Sequence, residues 1–283
     1  DWCLSQIAKK LNFDDDYNYF LNASYNYRNL FNEETSFFHP KDKNGNFIMP
    51  FDYRYAGGQG GREYYDENNG WIYRWDVAHR ISDLITLMGG KEQFIRNLDD
   101  LFTEPLGMEK FLFYRQFPDH TGNVGQFSMA NEPSLHIPYL YNYAGKPWMT
   151  QKRIRQLLKQ WFRNDLMGVP GDEDGGGLSA FVVFSSMGFY PVTPGIPVYN
   201  IGSPLFQSIK IDLKNGKTFE IEALNNSEEN KYIQSATLNG KKWNKPWFSH
   251  DEIKNGGKLI LIMGNRANPE WGSSPESVPP SGE

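Results

Sequence analysis

Residues 168–187 read GVPGDEDGGGLSAFVVFSSM, and this stretch decides the fold. It places two carboxylates, Asp172 and Asp174, on a Gly-rich loop, and a continuously apolar run follows them. A helix that is apolar on every side is typically buried, and the free N–H groups at its N-terminus favour anionic side chains nearby. The stretch therefore predicts acidic chemistry at the mouth of a buried helix, and the alternative is an acidic, ordinarily capped surface turn.

The same order of acidic loop and apolar helix occurs twice earlier in the chain. Glu67 precedes an apolar segment at 71–88, and Glu132 precedes another at 136–145. Glycines end both segments, and a helix with a single apolar stripe follows each of them. These one-sided helices are predicted at 91–102 and 148–163.

Alternating inner and outer helices joined by short turns indicate an α/α toroid. The loops before the inner helices then gather at one end of the ring, so we expect the carboxylates to share one site. Beyond residue 187 the pattern becomes strand-like, with glycine-containing turn pairs between the apolar runs. The strands are predicted at 198–201, 206–213, 218–224, 233–238 and 258–263.

The predicted fold is therefore mainly α: a partial (α/α)6 toroid followed by a small antiparallel β-sheet or sandwich segment. We assign residues 1–195 to the toroid, which is the catalytic portion and is incomplete at its N-terminus. Residues 196–283 form the β segment, which ends in an irregular tail. The segments contain fewer helices than a closed ring of six hairpins requires, so we expect an upstream segment or another chain to complete it.

Composition restricts the partners. The chain has 283 residues, a net charge of −5 and no basic run, which argues against nucleic acid. No apolar run reaches membrane-spanning length, and we expect no signal peptide within these residues. The single cysteine, Cys3, excludes an internal disulfide framework.

The acidic loops suit two kinds of chemistry. A pair of carboxylates can act as general acid and general base at a glycosidic bond, and inverting hydrolysis needs them roughly 6.5–9.5 Å apart. Carboxylate and amide oxygens can also bind calcium, which takes six to eight oxygen ligands. Asn131, Glu132 and the loop that carries Asp172 and Asp174 offer such ligands.

With these loops identified, the chain resembles the C-terminal part of the α-mannosidases of glycoside hydrolase family 92. The resemblance spans nearly the whole chain, and ENNGWIYRW corresponds to the family's EGNAWQYxW, while ANEPSLHIPYLYNYAGKPWMTQKRIR corresponds to GNEPSHHIPYLYNYAGxPWKTQKRVR. The other matching segments are DWCLSQIAKKL, PGDEDGGGLSAFVVFSSMGFYPVTPG, YNIGSPLF and MGNRANPEWG.

The resemblance implies a calcium-dependent, inverting exo-α-mannosidase that removes terminal α-linked mannose from oligosaccharides such as N-glycans. Glu67 matches the family's proposed general acid, and Asp174 or Asp172 matches the proposed base, of which we favour Asp174. Asn131 and Glu132, together with Asp174, are assigned to calcium, which would hold the mannose O2 and O3 and help distort the ring.

The partner domain and the location also follow from the resemblance. The expected partner domain is an N-terminal β-sandwich, and the expected location is secreted, periplasmic or at the cell surface. We assign His136, Trp71 and Tyr73 to sugar binding, although a histidine packed on its helix and a tryptophan in the core are open alternatives. Lys152, Arg153 and Arg155 are expected to form a solvated helix face.

The sequence also departs from the family pattern, which keeps other functions open. Family residues are replaced at five places. They are Asn68 for Gly, Ile72 for Gln, His79–Arg80 for His-Asp, Leu135 for His and Met129 for His. The alternatives are a non-catalytic, calcium-dependent carbohydrate-binding relative and a toroid enzyme of the phosphorolytic or lyase type.

Overall fold

The computed structural model describes residues 1–55, 63–171 and 173–282. Two compact units make up this part of the chain. The first contains Asp1–Pro133, Thr193–Ile196 and the residues from Ser281, and the second contains Ser134–Val192 and Pro197–Pro280. The predicted domain boundary between residues 195 and 196 is based on the change from helical to strand-like sequence and not on contacts. It stays a prediction.

The first unit is mostly helical. Its helices are α1 (Trp2–Lys10), α2 (Asp14–Ala23), α3 (Gly70–Tyr73), α4 (Ile81–Leu87), α5 (Lys91–Leu101) and α6 (Lys110–Gln116). Its strands form two hairpins, β1 (Phe31–Asn32) with β2 (Phe37–Phe38) and β3 (Asn123–Val124) with β4 (Phe127–Ser128). Among the buried side chains, Trp75 meets Phe94 edge to face, and Phe102 stacks on Phe127.

The apolar segment at 71–88 is not one helix, which corrects the prediction. It is divided into α3 and α4 by a turn in which two backbone carbonyls accept hydrogen bonds from residues distant in sequence. The carbonyl of Ala78 accepts from the Thr193 hydroxyl at 2.8 Å, and that of His79 accepts from the Gly282 N–H at 2.8 Å. These tertiary hydrogen bonds satisfy two carbonyls at the break, where the helical hydrogen bonds are missing.

The second unit combines helices and sheets. Its helices are α7 (Pro147–Trp161), α8 (Gly177–Met187) and α9 (His250–Ile253), and a 3-10 helix spans Ile137–Asn142. The strands are β5 (Phe189–Tyr190), β6 (Val198–Ile201), β7 (Ser208–Asp212), β8 (Thr218–Leu224), β9 (Tyr232–Leu238), β10 (Lys241–Lys242), β11 (Trp247–Ser249) and β12 (Gly257–Gly264). The fold is therefore α plus β, not mainly α.

The strand prediction is confirmed in position and corrected in one pairing. The larger sheet has the order β10-β9-β12-β8-β7, and β12 runs parallel to β8. The turn between β7 and β8 is as expected, whereas the turn after β9 leads to a short strand that was not predicted, β10, and β12 inserts between β8 and β9. Turn residues report only on neighbours in sequence, so they could not reveal this insertion. The smaller sheet of this unit has three strands in the order β11-β6-β5 and is antiparallel.

The helix α8 is not buried on all sides, which corrects the second structural expectation. Leu178, Phe181, Ser185 and Ser186 are its buried residues, whereas Val183 is 56% exposed. Apolar composition predicts burial only when neighbours cover each face, and in the described chain α8 packs on α7 and β5 through one face. No helix in the described ranges is both long and apolar enough to cross a membrane.

The β3–β4 hairpin requires glycine at its turn. Gly125 has a φ of +61°, and a Cβ built there would lie 2.5 Å from the carbonyl carbon of Phe102. We expect Gly125→Ala to lower the free energy of unfolding by about 2–4 kcal/mol, because strain and a backbone clash add. In Gly45→Ala, at a φ of +86° with open space, only the strain of about 1 kcal/mol remains. Chemical denaturation compares the two variants, and equal losses would contradict the clash.

His120 lies beneath the same hairpin and makes stability depend on pH. Its Nε2–H donates to the carbonyl of Gln126 at 2.7 Å, and burial lowers its pKa to about 4 from about 6.5. The unfolded chain therefore binds more protons between these values, so stability is full above pH 6.5 and falls as the pH drops toward 4.

We expect His120→Gln to remove a slope of up to about 1.4 kcal/mol per pH unit from the free energy of unfolding over pH 4–6.5. Urea denaturation at a series of pH values measures both slopes, so a lower overall stability of the variant does not affect the comparison. Parallel curves for the two proteins would show that His120 is not the group responsible.

Candidate active site

The loop that carries Glu67 ends at the N-terminus of α3, where Asn69 is the N-cap. The Asn69 Oδ1 accepts from the backbone N–H of Trp71 at 3.1 Å, which supplies one of the missing helical hydrogen bonds. The following residue, Gly70, is required by space. A Cβ there would lie 2.9 Å from the Tyr65 hydroxyl oxygen and 3.1 Å from the Tyr53 Cβ.

Gln126 connects this helix start to the β3–β4 hairpin. Its Oε1 accepts from the Asn69 Nδ2 at 2.9 Å, and its Nε2 donates to the carbonyl of Pro105 at 2.7 Å. Both Gln126 and Asn69 are fully buried, where leaving either amide unpaired costs about 1–3 kcal/mol. The amide pair therefore holds the Glu67 loop beside the segment that continues from β4 into Asn131.

Glu67 and Asn131 meet as a result, although 64 residues separate them in sequence. The Asn131 Nδ2 donates to the Glu67 Oε2 at 3.1 Å. Asn131 is buried, with 2% of its surface exposed, and its Oδ1 has no hydrogen-bond partner within the described chain. Glu67 is only partly buried. The pair therefore presents one carboxylate and one unused amide oxygen.

Tyr73 and Trp71, which are both predicted to bind sugar, lie on α3. Tyr73 contacts Glu67 directly. The Tyr73 hydroxyl accepts from the Glu67 N–H at 3.2 Å, and its ring stacks on Tyr65 with centroids 5.8 Å apart. Burial raises the pKa of Tyr73. Trp71 is partly buried and meets Phe37 edge to face at 5.0 Å. Tyr73 thus supports the Glu67 loop, and Trp71 belongs to an aromatic cluster on α3.

Two of the predicted calcium ligands, Asn131 and Glu132, belong to the first unit. Glu132 directly follows Asn131, is partly buried and begins the 3-10 turn Glu132–Ser134. Among the described residues, no group of three or more His, Cys, Asp or Glu side chains is arranged to hold a metal ion. Asn131 would contribute an amide oxygen, and asparagine is not one of these four residue types.

The other predicted site residues belong to the second unit. Asp174 is exposed on the loop before α8 and has a φ of +35°. His136 is partly buried and is the N-cap residue of the Ile137–Asn142 3-10 helix. Asp172 lies outside the described residues. The predicted convergence of Asp174 with Glu67 and Glu132 stays a prediction.

Sequence reasoning missed the carboxylate that pairs with the start of α8. The N-cap position is Gly176, which has no side chain to accept a hydrogen bond. Glu173 takes this role instead, accepting from the Ser179 N–H at 3.2 Å and from its hydroxyl at 2.7 Å. Capping patterns place the acceptor next to the helix, so a glutamate six residues before its partner has no sequence signature.

Comparison with known proteins identifies the family. The model of the glycosyl hydrolase family 92 catalytic domain matches residues 1–265. An uncharacterized secreted glycosidase of Arthroderma benhamiae is 33% identical over 99% of this chain and 36% of its own length.

Two solved structures from Bacteroides thetaiotaomicron are similar over 99% of this chain. A family 92 α-mannosidase in complex with mannoimidazole has a TM-score of 0.91 and 36% identity, with 37% of its own length covered. A family 92 inverting mannosidase has a TM-score of 0.85 and 37% identity, with 38% covered. The chain thus spans little more than a third of these relatives, and it belongs to glycosyl hydrolase family 92.

Proposed function

We propose that the complete protein removes terminal α-linked mannose from oligosaccharides, including N-glycans, by inverting hydrolysis assisted by calcium. The observation that carries the proposal is the contact between the partly exposed Glu67 carboxylate and the buried Asn131 amide. The similar structures are described as mannosidases, and one of them as inverting. This supports mannose as the sugar and inversion as the outcome.

Glu67 is the proposed general acid, and its contacts suit that role. A protonated carboxyl donates from one oxygen while the other still accepts. Because Asn131 donates to Oε2, the proton is expected on Oε1, where it can pass to the leaving oxygen. The Tyr73 hydroxyl accepts a hydrogen bond from the backbone N–H of Glu67, which restricts the movement of the Glu67 carboxyl.

Asp174 is the proposed general base. Its carboxylate is exposed and can accept a proton from the attacking water, as inversion requires. Asp172 is the second candidate for this role. His136 and Trp71 are proposed to contact the sugar, His136 through its ring nitrogens and Trp71 through its aromatic face.

Calcium is the proposed cofactor, and Asn131 fits it. The metal prefers carboxylate and amide oxygens, and the buried Oδ1 of Asn131 is an amide oxygen without a partner in the described chain. Its Nδ2 is fixed by Glu67, so the oxygen is held in one orientation. Glu132 and Asp174 are the other proposed ligands. When bound, calcium would hold the mannose O2 and O3 and favour ring distortion.

The larger assembly is also a proposal. The α4–α5 pair and the 3-10 helix with α7 are joined by glycine-containing turns, which supports a partial (α/α)6 toroid over 1–195 followed by the β segment at 196–283. An N-terminal β-sandwich is the proposed partner domain. A secreted, periplasmic or surface location is supported by the name of the fungal relative.

The acid role of Glu67 is tested with aryl α-mannosides in the complete protein. We expect Glu67→Gln to lower kcat/KM by about 10²–10⁴-fold on an aryl mannoside whose leaving group needs a proton. The loss should be much smaller with a strongly acidic phenol, which leaves without one. Glu33→Gln, on an exposed glutamate, is the matched control. Wild-type turnover by Glu67→Gln on the demanding substrate would remove Glu67 from this role, and sugar binding without turnover in the wild type would favour the non-catalytic alternative.

The calcium role of Asn131 is tested by metal titration of the complete protein. We expect Asn131→Ala to raise the Kd for calcium at least about tenfold, because an oriented oxygen ligand is lost. Calorimetry and calcium-dependent Tm shifts measure this without reference to turnover. Asn44→Ala, at an exposed asparagine, is the control. Unchanged calcium affinity, or full release of mannose in the presence of a chelator, would contradict the assignment.

A further inference from the structure

A groove in the second unit lies between α7, the loop after β6 and the loop between β8 and β9. Its volume is about 700 Å³, within the range of small-molecule sites. The α7 wall consists of Lys152, Arg155, Gln156 and Lys159, whose spacing places them on one helix face. The remaining lining residues are Leu158, Phe162, Leu205, Glu228 and Lys231. The roles proposed above use none of these residues.

Arg155 is a fixed cation inside this groove, which corrects the expectation of a solvated face. Its Nη1 donates to the Pro204 carbonyl at 2.6 Å and to the Asn226 Oδ1 at 3.0 Å. Its Nη2 donates to the Ser227 carbonyl at 2.6 Å. Three of the five guanidinium donors are thus used, and two remain. Burial lowers the pKa of Arg155, in accord with a partly desolvated charge.

Neutral oxygens hold this guanidinium, and no carboxylate of the described residues lies within 4.0 Å of it. The groove's carboxylate, Glu228, forms an ion pair with Lys159. Lys152 and Lys231 have no acidic partner within that distance among the described residues. Four cations and one carboxylate line the groove, and the nearby Glu229 interacts electrostatically with Lys159 and Lys231, so a positive excess remains although the whole chain carries a net charge of −5. An anion would compensate this local excess.

The apolar part of the groove favours a ligand larger than a bare anion. Phe162 is partly exposed, and Leu205 is 40% exposed. Leu158 is buried beneath the groove. Aromatic and aliphatic side chains pack against the C–H faces of sugar rings, while cations bind a charged substituent.

We propose that this groove binds a sugar that carries a phosphate or sulfate ester, with the ester at Arg155, Lys152 and Lys231 and the ring against Phe162. The proposal that the anionic group belongs to a sugar rests on the proposed function, whereas the proposal that the groove binds an anion does not. The site would let the protein retain charged glycans.

The test is calorimetry on the complete protein with mannose 6-phosphate, mannose 6-sulfate, mannose and inorganic phosphate. We expect both esters to bind at least about tenfold more tightly than mannose or phosphate, and binding to weaken as salt is added. The double variant Lys152→Gln/Lys231→Gln should raise the Kd of the esters about five- to tenfold. These side chains make no described ion pairs, so the fold should be kept, which Tm confirms. Lys241→Gln, on the exposed strand β10, is the matched control.

A Kd unchanged by the double variant, no binding of either ester, or equal binding of ester and inorganic phosphate would overturn the proposal. Preference for one ester over the other identifies the source of the charge and supports it. The double variant separates the two proposals, because ester binding that it leaves unchanged belongs to another site, such as the candidate active site. Weaker ester binding in Lys152→Gln/Lys231→Gln supports the groove even if Glu67→Gln shows that the acid role fails.

Discussion

One buried amide pair, Gln126 with Asn69, determines whether the candidate site exists. The pair ties the β3–β4 hairpin to the first turn of α3, and neither amide can leave without an unpaired polar group remaining in the interior. Glu67 lies two residues before Asn69, and Asn131 lies five residues after Gln126. The hydrogen bond between Glu67 and Asn131 is therefore a consequence of a structural constraint outside the pair itself.

The main strands and the helix α8 could be predicted from sequence, whereas the break in the segment at 71–88 could not. Residues 198–201 and 218–224 alternate in burial or are β-branched, and these strands lie where the pattern places them. The segment at 71–88 has an equally clear helical pattern, yet tertiary hydrogen bonds to the carbonyls of Ala78 and His79 interrupt it. Periodicity reports on the side chains and not on the bonds that the backbone makes with distant residues.

The site divides in the same way. The acidic loops were visible because carboxylates beside glycine and apolar helices are unusual, and the family motif then identified Glu67 and Asn131. The residues that position or cap these loops could not be recognised from sequence. Gln126 is an isolated glutamine in a loop, and Glu173 acts six residues away from Ser179. Asn69 could have been found, since asparagine before a helix is a preferred N-cap. Arg155 looked like a surface residue because its three oxygen partners come from distant segments.

We propose that the Asn131 amide binds the acid Glu67 through its nitrogen and the metal through its oxygen. A crystal structure of the complete protein with calcium and a mannose-derived ligand tests it most directly. The account predicts the Asn131 Oδ1 about 2.3–2.6 Å from calcium, with Nδ2 still on Glu67 and the Glu67 carboxyl facing the glycosidic oxygen. An Asn131 oxygen outside the calcium shell, or a Glu67 carboxyl facing away from the sugar, would contradict it.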